Sequence, residues 1–124
     1  MLLIDDTPEI ADLLSFALRD QGFEVAVYAF TTSINDLIDD TAADAIVLDC
    51  SVYEISESLF DSIRAAEPHA ALPVVIISDT LEKADASLQA RSADRVLLIP
   101  KPFTGSQVVR ALRELLAIPQ SANP

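Results

Sequence analysis

Five polar side chains stand at the ends of four short apolar runs. Asp5 and Asp6 follow Leu2-Leu3-Ile4, Asp49 follows Ala45-Ile46-Val47-Leu48, Ser78 follows Val74-Val75-Ile76-Ile77, and Lys101 follows Val96-Leu97-Leu98-Ile99-Pro100. Three carboxylates brought together repel one another unless a cation sits among them, and hard oxygen ligands with room for water suit Mg²⁺. Taken singly, these residues carry little weight. Asp5-Asp6 alone is more often a charge cluster at a helix N-terminus, Ser78 alone a turn or cap residue, and Lys101 alone a surface lysine, while Asp49 is evenly balanced between a solvated strand end and a site residue. Their information lies in the recurrence: each stop occupies the same place in its own apolar run.

The elements that must position them can be read from hydrophobic period and from start and stop signals. The central run Ala45 to Asp49, short and bounded by polar residues, reads as a strand buried on both faces, the pattern of a parallel sheet. Similar strands are expected at Met1–Ile4, Pro73–Ser78 and Val96–Ile99, and an edge strand where Phe23, Val25 and Val27 alternate with Glu24, Ala26 and Tyr28. Between them lie helical patterns. Thr7 and Pro8 open a helix carrying Ile10, Leu13, Leu14, Ala17 and Leu18, which Gly22 stops. Thr31-Thr32-Ser33 open a second with Ile34, Leu37 and Ile38, and a third turns Leu59, Phe60 and Ile63 inward, with Pro68 beyond its end. Leu81 to Ala93 is weakly amphipathic, so its packing should be the loosest. Thr104-Gly105-Ser106-Gln107 matches a capping box for the last helix, which continues through Val108, Val109, Leu112, Leu115 and Leu116. Five strands alternating with five helices require a parallel sheet covered on both faces. Because parallel strands all end at one edge, the four stops converge there, where ligands bind in open α/β sheets.

Composition limits the alternatives. The chain has 124 residues, 51% of them hydrophobic, enough for one core and one domain over residues 1–118, with 119–124 a disordered tail. No apolar run approaches 18 residues, and Met1 leads into a strand without a basic region or cleavage site, so a cytoplasmic protein without membrane association is expected. With 20 acids against 8 bases, the formal charge is −12. Such a surface repels a phosphate backbone, so this chain is not expected to bind nucleic acid directly. The single cysteine, Cys50, reads as a packed apolar residue. His69 has no second His or Cys to share a metal, and no role is assigned to it.

An acidic pair after the first strand, an aspartate after the third, a hydroxyl after the fourth and Lys101-Pro102-Phe103 after the fifth resemble the receiver domain of bacterial response regulators. The ordered set is far more specific than any member, and it covers essentially the whole chain. The resemblance implies a three-layer, flavodoxin-like (βα)5 fold with a parallel five-stranded sheet of strand order 2-1-3-4-5. It implies Asp49 as acceptor of a phosphoryl group from a histidine kinase or phosphotransfer protein, in a two-component or phosphorelay system. Mg²⁺ would be held directly by Asp6, through water by Asp5, and by Asp49 and the backbone carbonyl of Ser51. Lys101 would pair with a phosphoryl oxygen, behind a cis bond before Pro102, and Ser78 would donate its hydroxyl and act as the switch. The chain would be no enzyme beyond catalysing its own phosphorylation and dephosphorylation. Its fourth helix, fifth strand and fifth helix would carry the output, by dimerising or by docking on a downstream protein.

Departures from the family pattern open a second reading. Asp79 stands where a small residue usually leaves a path for the donor, and a fourth carboxylate there would narrow the entrance and repel a phosphoryl group. Tyr53 and Glu57 replace a proline and a glycine in the loop and helix after Asp49, Thr7 replaces an acid, and Leu98 or Val96 replaces the strand-five aromatic. These favour an atypical receiver that acts as a phosphorylation-independent interaction module. A phosphatase with an aspartyl nucleophile is disfavoured, because its general acid would stand at Ser51.

Overall fold

The computed structural model describes residues 1–117. In chain order it contains β1 (Leu2–Asp5), α1 (Pro8–Asp20), β2 (Ala26–Tyr28), α2 (Ile34–Thr41), β3 (Ile46–Asp49), α3 (Tyr53–Ala65), a 3-10 turn (Glu67–His69), β4 (Val74–Ser78), α4 (Leu81–Ala90), β5 (Val96–Pro100) and α5 (Gly105–Ala117). All adjacent strands pair in parallel, in the order β2-β1-β3-β4-β5. This is the three-layer, flavodoxin-like arrangement that the resemblance implies, with the parallel sheet covered on both faces that the alternating pattern requires. The expected tail from residue 119 lies outside the described residues.

Period-two alternation sorts the central strands into two cores. Leu2, Ile4, Ile46, Leu48, Val74 and Ile76 pack with Ile34 and Ile38 of α2, Leu59, Phe60 and Ile63 of α3, and Ala84 and Leu88 of α4. Leu3, Val47, Val75, Ile77 and Ile99 pack with Leu14 and Leu18 of α1 and Val108, Leu112 and Leu115 of α5. Both sheet faces are thereby covered, which is why β1, β3 and β4 are buried at every residue and read as unbroken apolar runs. Each fully buried Leu or Ile contributes roughly 1.5–3 kcal/mol of transfer free energy. Helices α1 and α5 approach so closely that a Cβ at Gly105 would meet Ala17 Cβ at 2.7 Å. Gly105 is required there by the crossing, and it sets α5 directly behind the edge that carries Lys101.

Three local expectations are modified. The edge strand is shorter than its alternation suggests, because pairing begins at Leu2↔Ala26 and β1 offers residues 23–25 no opposing strand. Phe23 and Val25 still pack against the α1/α5 core, whereas Val27 is 37% exposed. Thr7 occupies the N-cap of α1 without a side-chain capping bond, and its amide instead donates to Asp5 Oδ1 at 2.9 Å. Leu13, expected to face inward, is 71% exposed. The capping box of α5 is formed reciprocally: Thr104 N donates to Gln107 Oε1 at 2.7 Å, and Gln107 N to Thr104 Oγ1 at 3.2 Å.

Helix α4 is attached in a way its weak amphipathicity did not reveal. It buries only Ala84 and Leu88. Polar residues spaced four apart on its side meet acids on α3: Lys83 pairs with Glu54, Ser87 Oγ donates to Glu57 Oε2 at 2.6 Å, and Arg91 pairs with Asp61 at 2.7 Å and Glu57 at 3.1 Å. Elsewhere on α3, Arg64 donates to the carbonyls of Asp94 and Arg95 ahead of β5 and lies over the Phe60 ring.

Candidate functional site

Strand register builds the site. Asp5 lies directly opposite Asp49 where β1 and β3 end, and Ser78 lies opposite Pro100 where β4 and β5 end. Lys101 N donates to the Ser78 carbonyl at 3.0 Å, extending the ladder one residue past the strand. The side chains that follow four separate apolar runs thus share one edge. The Lys101–Pro102 bond is cis.

The innermost contact joins Lys101 and Asp49. Nζ lies 2.9 Å from Oδ1 of a carboxylate only 2% exposed, an ion pair by distance although Oδ1 has no partner of hydrogen-bond geometry. Burial by itself would lower the Lys101 pKa, yet the carboxylates of Asp49, Asp79 and Asp5 outweigh it and raise the value above the ordinary lysine range. A permanent cation thus faces Asp49 from the β5 side. From the β1 side the buried Asp5 carboxyl is pushed up to about 7: burial penalises its charge and Asp49 and Asp6 add repulsion, against a lowering from the Thr7 amide. Its Oδ2 has no partner.

Asp6 and Ser78 stand at the margin, each engaged locally. The exposed Asp6 carboxylate turns to the chain beyond β3, accepting hydrogen bonds from Ser51 N at 3.1 and 3.0 Å and from Ser51 Oγ at 2.7 Å. Ser51 therefore meets Asp6 through its amide and hydroxyl. Ser78 is buried, and its Oγ accepts from Thr80 N at 3.0 Å and lies 3.0 Å from Thr80 Oγ1. Asp79 is exposed. Among the described residues, no three His, Cys, Asp or Glu side chains are gathered as ligands around one point. The donor set nonetheless fits a hard cation. Two buried carboxyl groups lie side by side, Asp5 with Oδ2 unpartnered and Asp49 with only the Lys101 ammonium at Oδ1, an acceptor set that a divalent metal satisfies and that neutral hydrogen-bond donors here do not.

A cleft of about 360 Å³ leads to this edge from the α1 side. Its walls are largely apolar, including Ile10, Leu13 and Phe103, and Asp49 and Lys101 line it as well.

Sequence reasoning gave His69 no role, and the structure gives it a structural one. The buried ring lies with Nδ1 2.6 Å from Asn35 Oδ1 and Nε2 2.8 Å from Asp39 Oδ1, and Asn35 Nδ2 donates to the Ser62 carbonyl at 2.9 Å. The signal was the four-residue spacing of Asn35 and Asp39, which puts both on one face of α2. No helix among the described residues is long and apolar enough to cross a membrane.

Residues 1–113 match the family described as response regulator receiver domain. Among curated proteins, the probable transcriptional regulatory protein TcrX of Mycobacterium tuberculosis is 31% identical over 119 residues, a match covering 94% of this chain and 49% of that protein. The chain spans about half the length of the curated relatives it matches. The solved receiver domain of NtrX from Brucella abortus is 28% identical with a TM-score of 0.74, covering 93% of this chain and 96% of that one. The receiver domain of a Pseudomonas aeruginosa sensor histidine kinase, solved with magnesium ion coordinated in its active site cleft, shares the fold at 22% identity and a TM-score of 0.76, covering 93% of this chain and 94% of that one.

Proposed function

Since the chain belongs to the response regulator receiver domain family, we propose that it is a working phosphoacceptor whose Asp49 takes a phosphoryl group from a histidine kinase or phosphotransfer protein. The supporting observation is the Lys101 ammonium 2.9 Å from a buried Asp49 carboxylate, directly opposite Asp5 at the end of the paired strands. In the transfer an Asp49 oxygen forms a bond to phosphorus as the phosphorus–nitrogen bond of the donor histidine breaks, leaving an acyl phosphate on Asp49 and the electron pair on the departing imidazole.

The chain's own part is positioning and charge. Lys101, already beside the carboxylate, pairs with a phosphoryl oxygen as negative charge moves onto it. The Ser78 hydroxyl, now engaged by Thr80, donates to the phosphoryl group and switches by leaving that position. Asp5, Asp6, Asp49 and the Ser51 carbonyl would hold Mg²⁺, which when bound neutralises the repulsion between carboxylate and phosphoryl group. Output would pass through α4, β5 and α5 to a second copy or a downstream protein, and the compartment is the cytoplasm.

The second reading, an interaction module independent of phosphorylation, draws on Asp79, whose charge is felt at Lys101 beside the entrance. One experiment separates the two. Incubation with acetyl phosphate and Mg²⁺ should add a single phosphoryl mass to the intact protein and none to Asp49→Asn. No uptake by the unaltered protein under these conditions supports the interaction module.

A further inference from the structure

We propose that Ser51 is a positioning residue that sets the cation affinity of the acidic edge by engaging the Asp6 carboxylate. The inference rests on the reading above, in which Asp6 is a metal ligand. Asp5 closes β1 buried opposite Asp49, and Asp6, the first residue beyond the strand, is exposed at the rim. At the rim, all three hydrogen bonds to the Asp6 carboxylate come from one residue. The Ser51 amide engages both oxygens and the hydroxyl takes Oδ2 at 2.7 Å, the shortest of the three. Charge-assisted bonds of this kind are among the stronger single contacts a side chain makes.

Two states therefore compete for one carboxylate. In the first, Asp6 is satisfied by Ser51, while Asp5, opposite Asp49, keeps Oδ2 without a partner. In the second, Asp6 joins them around a cation and must loosen its hold on Ser51. A bond made only in the first state opposes metal binding by its own strength. The amide contacts belong to the backbone and remain whatever side chain follows, whereas the hydroxyl contact is set by the side chain at position 51. A hydroxyl there weakens the site for cations, and alanine strengthens it.

The test is calorimetric titration of the full chain with MgCl₂ at fixed pH, comparing unaltered protein, Ser51→Ala and Ser51→Thr. Ser51→Ala should bind Mg²⁺ roughly three- to tenfold more tightly, the loss of one partly solvated charge-assisted bond. Ser51→Thr keeps the hydroxyl and should return the affinity to that of the unaltered protein. Because the hydroxyl bond belongs to the metal-free fold, Ser51→Ala should melt a few degrees lower without metal while Ser51→Thr matches the unaltered protein, and Ser51→Gly provides a second hydroxyl-free variant. Equal affinities, or weaker binding by Ser51→Ala, overturn the inference while leaving the metal site intact. Absence of Mg²⁺ binding in every variant overturns the metal assignment, and the inference with it.

Discussion

At the scale of single residues, two carboxyls of the same type behave differently because their surroundings differ. Asp5 is buried opposite Asp49 and holds a proton up to about 7, while Asp6, its chain neighbour, lies exposed against Ser51. The sign of the consequence for stability follows from linkage. Between about pH 4, where an unfolded aspartate ionises, and about pH 7, the folded chain keeps the Asp5 proton that the unfolded chain has released. The metal-free protein should therefore lose stability as pH rises through that window, by on the order of 4 kcal/mol. Asp5→Asn should flatten the profile in chemical denaturation at a series of pH values, and a slope unchanged by that substitution would contradict the assignment. The identity of these residues was readable in the sequence because each terminates an apolar run. Their local engagements were not: that Asp6 turns to Ser51 and Ser78 to Thr80 depends on rim geometry that apolar spacing does not specify.

At the scale of elements, strands were more legible than helix attachments. A strand buried on both faces must be apolar throughout, so β1, β3 and β4 announce themselves, while β2 pairs on one side only and is cut short by the length of its partner. Helix α4 is the opposite case. Its apolar signal is weak, yet it is fixed to α3 by a row of polar contacts in which Glu57, a departure from the family pattern, receives both Ser87 and Arg91. Those residues look like a solvated face until the two helices are side by side. Exposed pairs each contribute little, but Arg91 joins two acids and a neighbouring hydroxyl at once. Arg91→Ala should therefore speed hydrogen exchange of the α4 amides several-fold at low salt, with little effect on β1 and β3. Raising the salt to about 1 M should reduce the difference, since a screened network has less to lose. Exchange in α4 that is indifferent to both changes would mean that Ala84 and Leu88 alone hold the helix.

At the scale of the whole molecule, the parallel sheet gathers side chains separated by almost the full length of the chain. Asp5 and Lys101 are linked to the same buried carboxylate because β1, β3, β4 and β5 end together, and Asp49 and Lys101 both line the apolar cleft beside α1. With a formal charge of −12, the chain gains from any cation at this edge, and the Lys101 ammonium is the one the fold supplies. On the proposed function, Asp49 and no other of the 20 acids forms the acyl phosphate. Borohydride reduction of protein treated with acetyl phosphate and Mg²⁺ converts a phosphorylated aspartate to homoserine, which peptide sequencing by mass spectrometry locates. Homoserine is expected at position 49 alone; homoserine at another acid, or none, would contradict this role of Asp49.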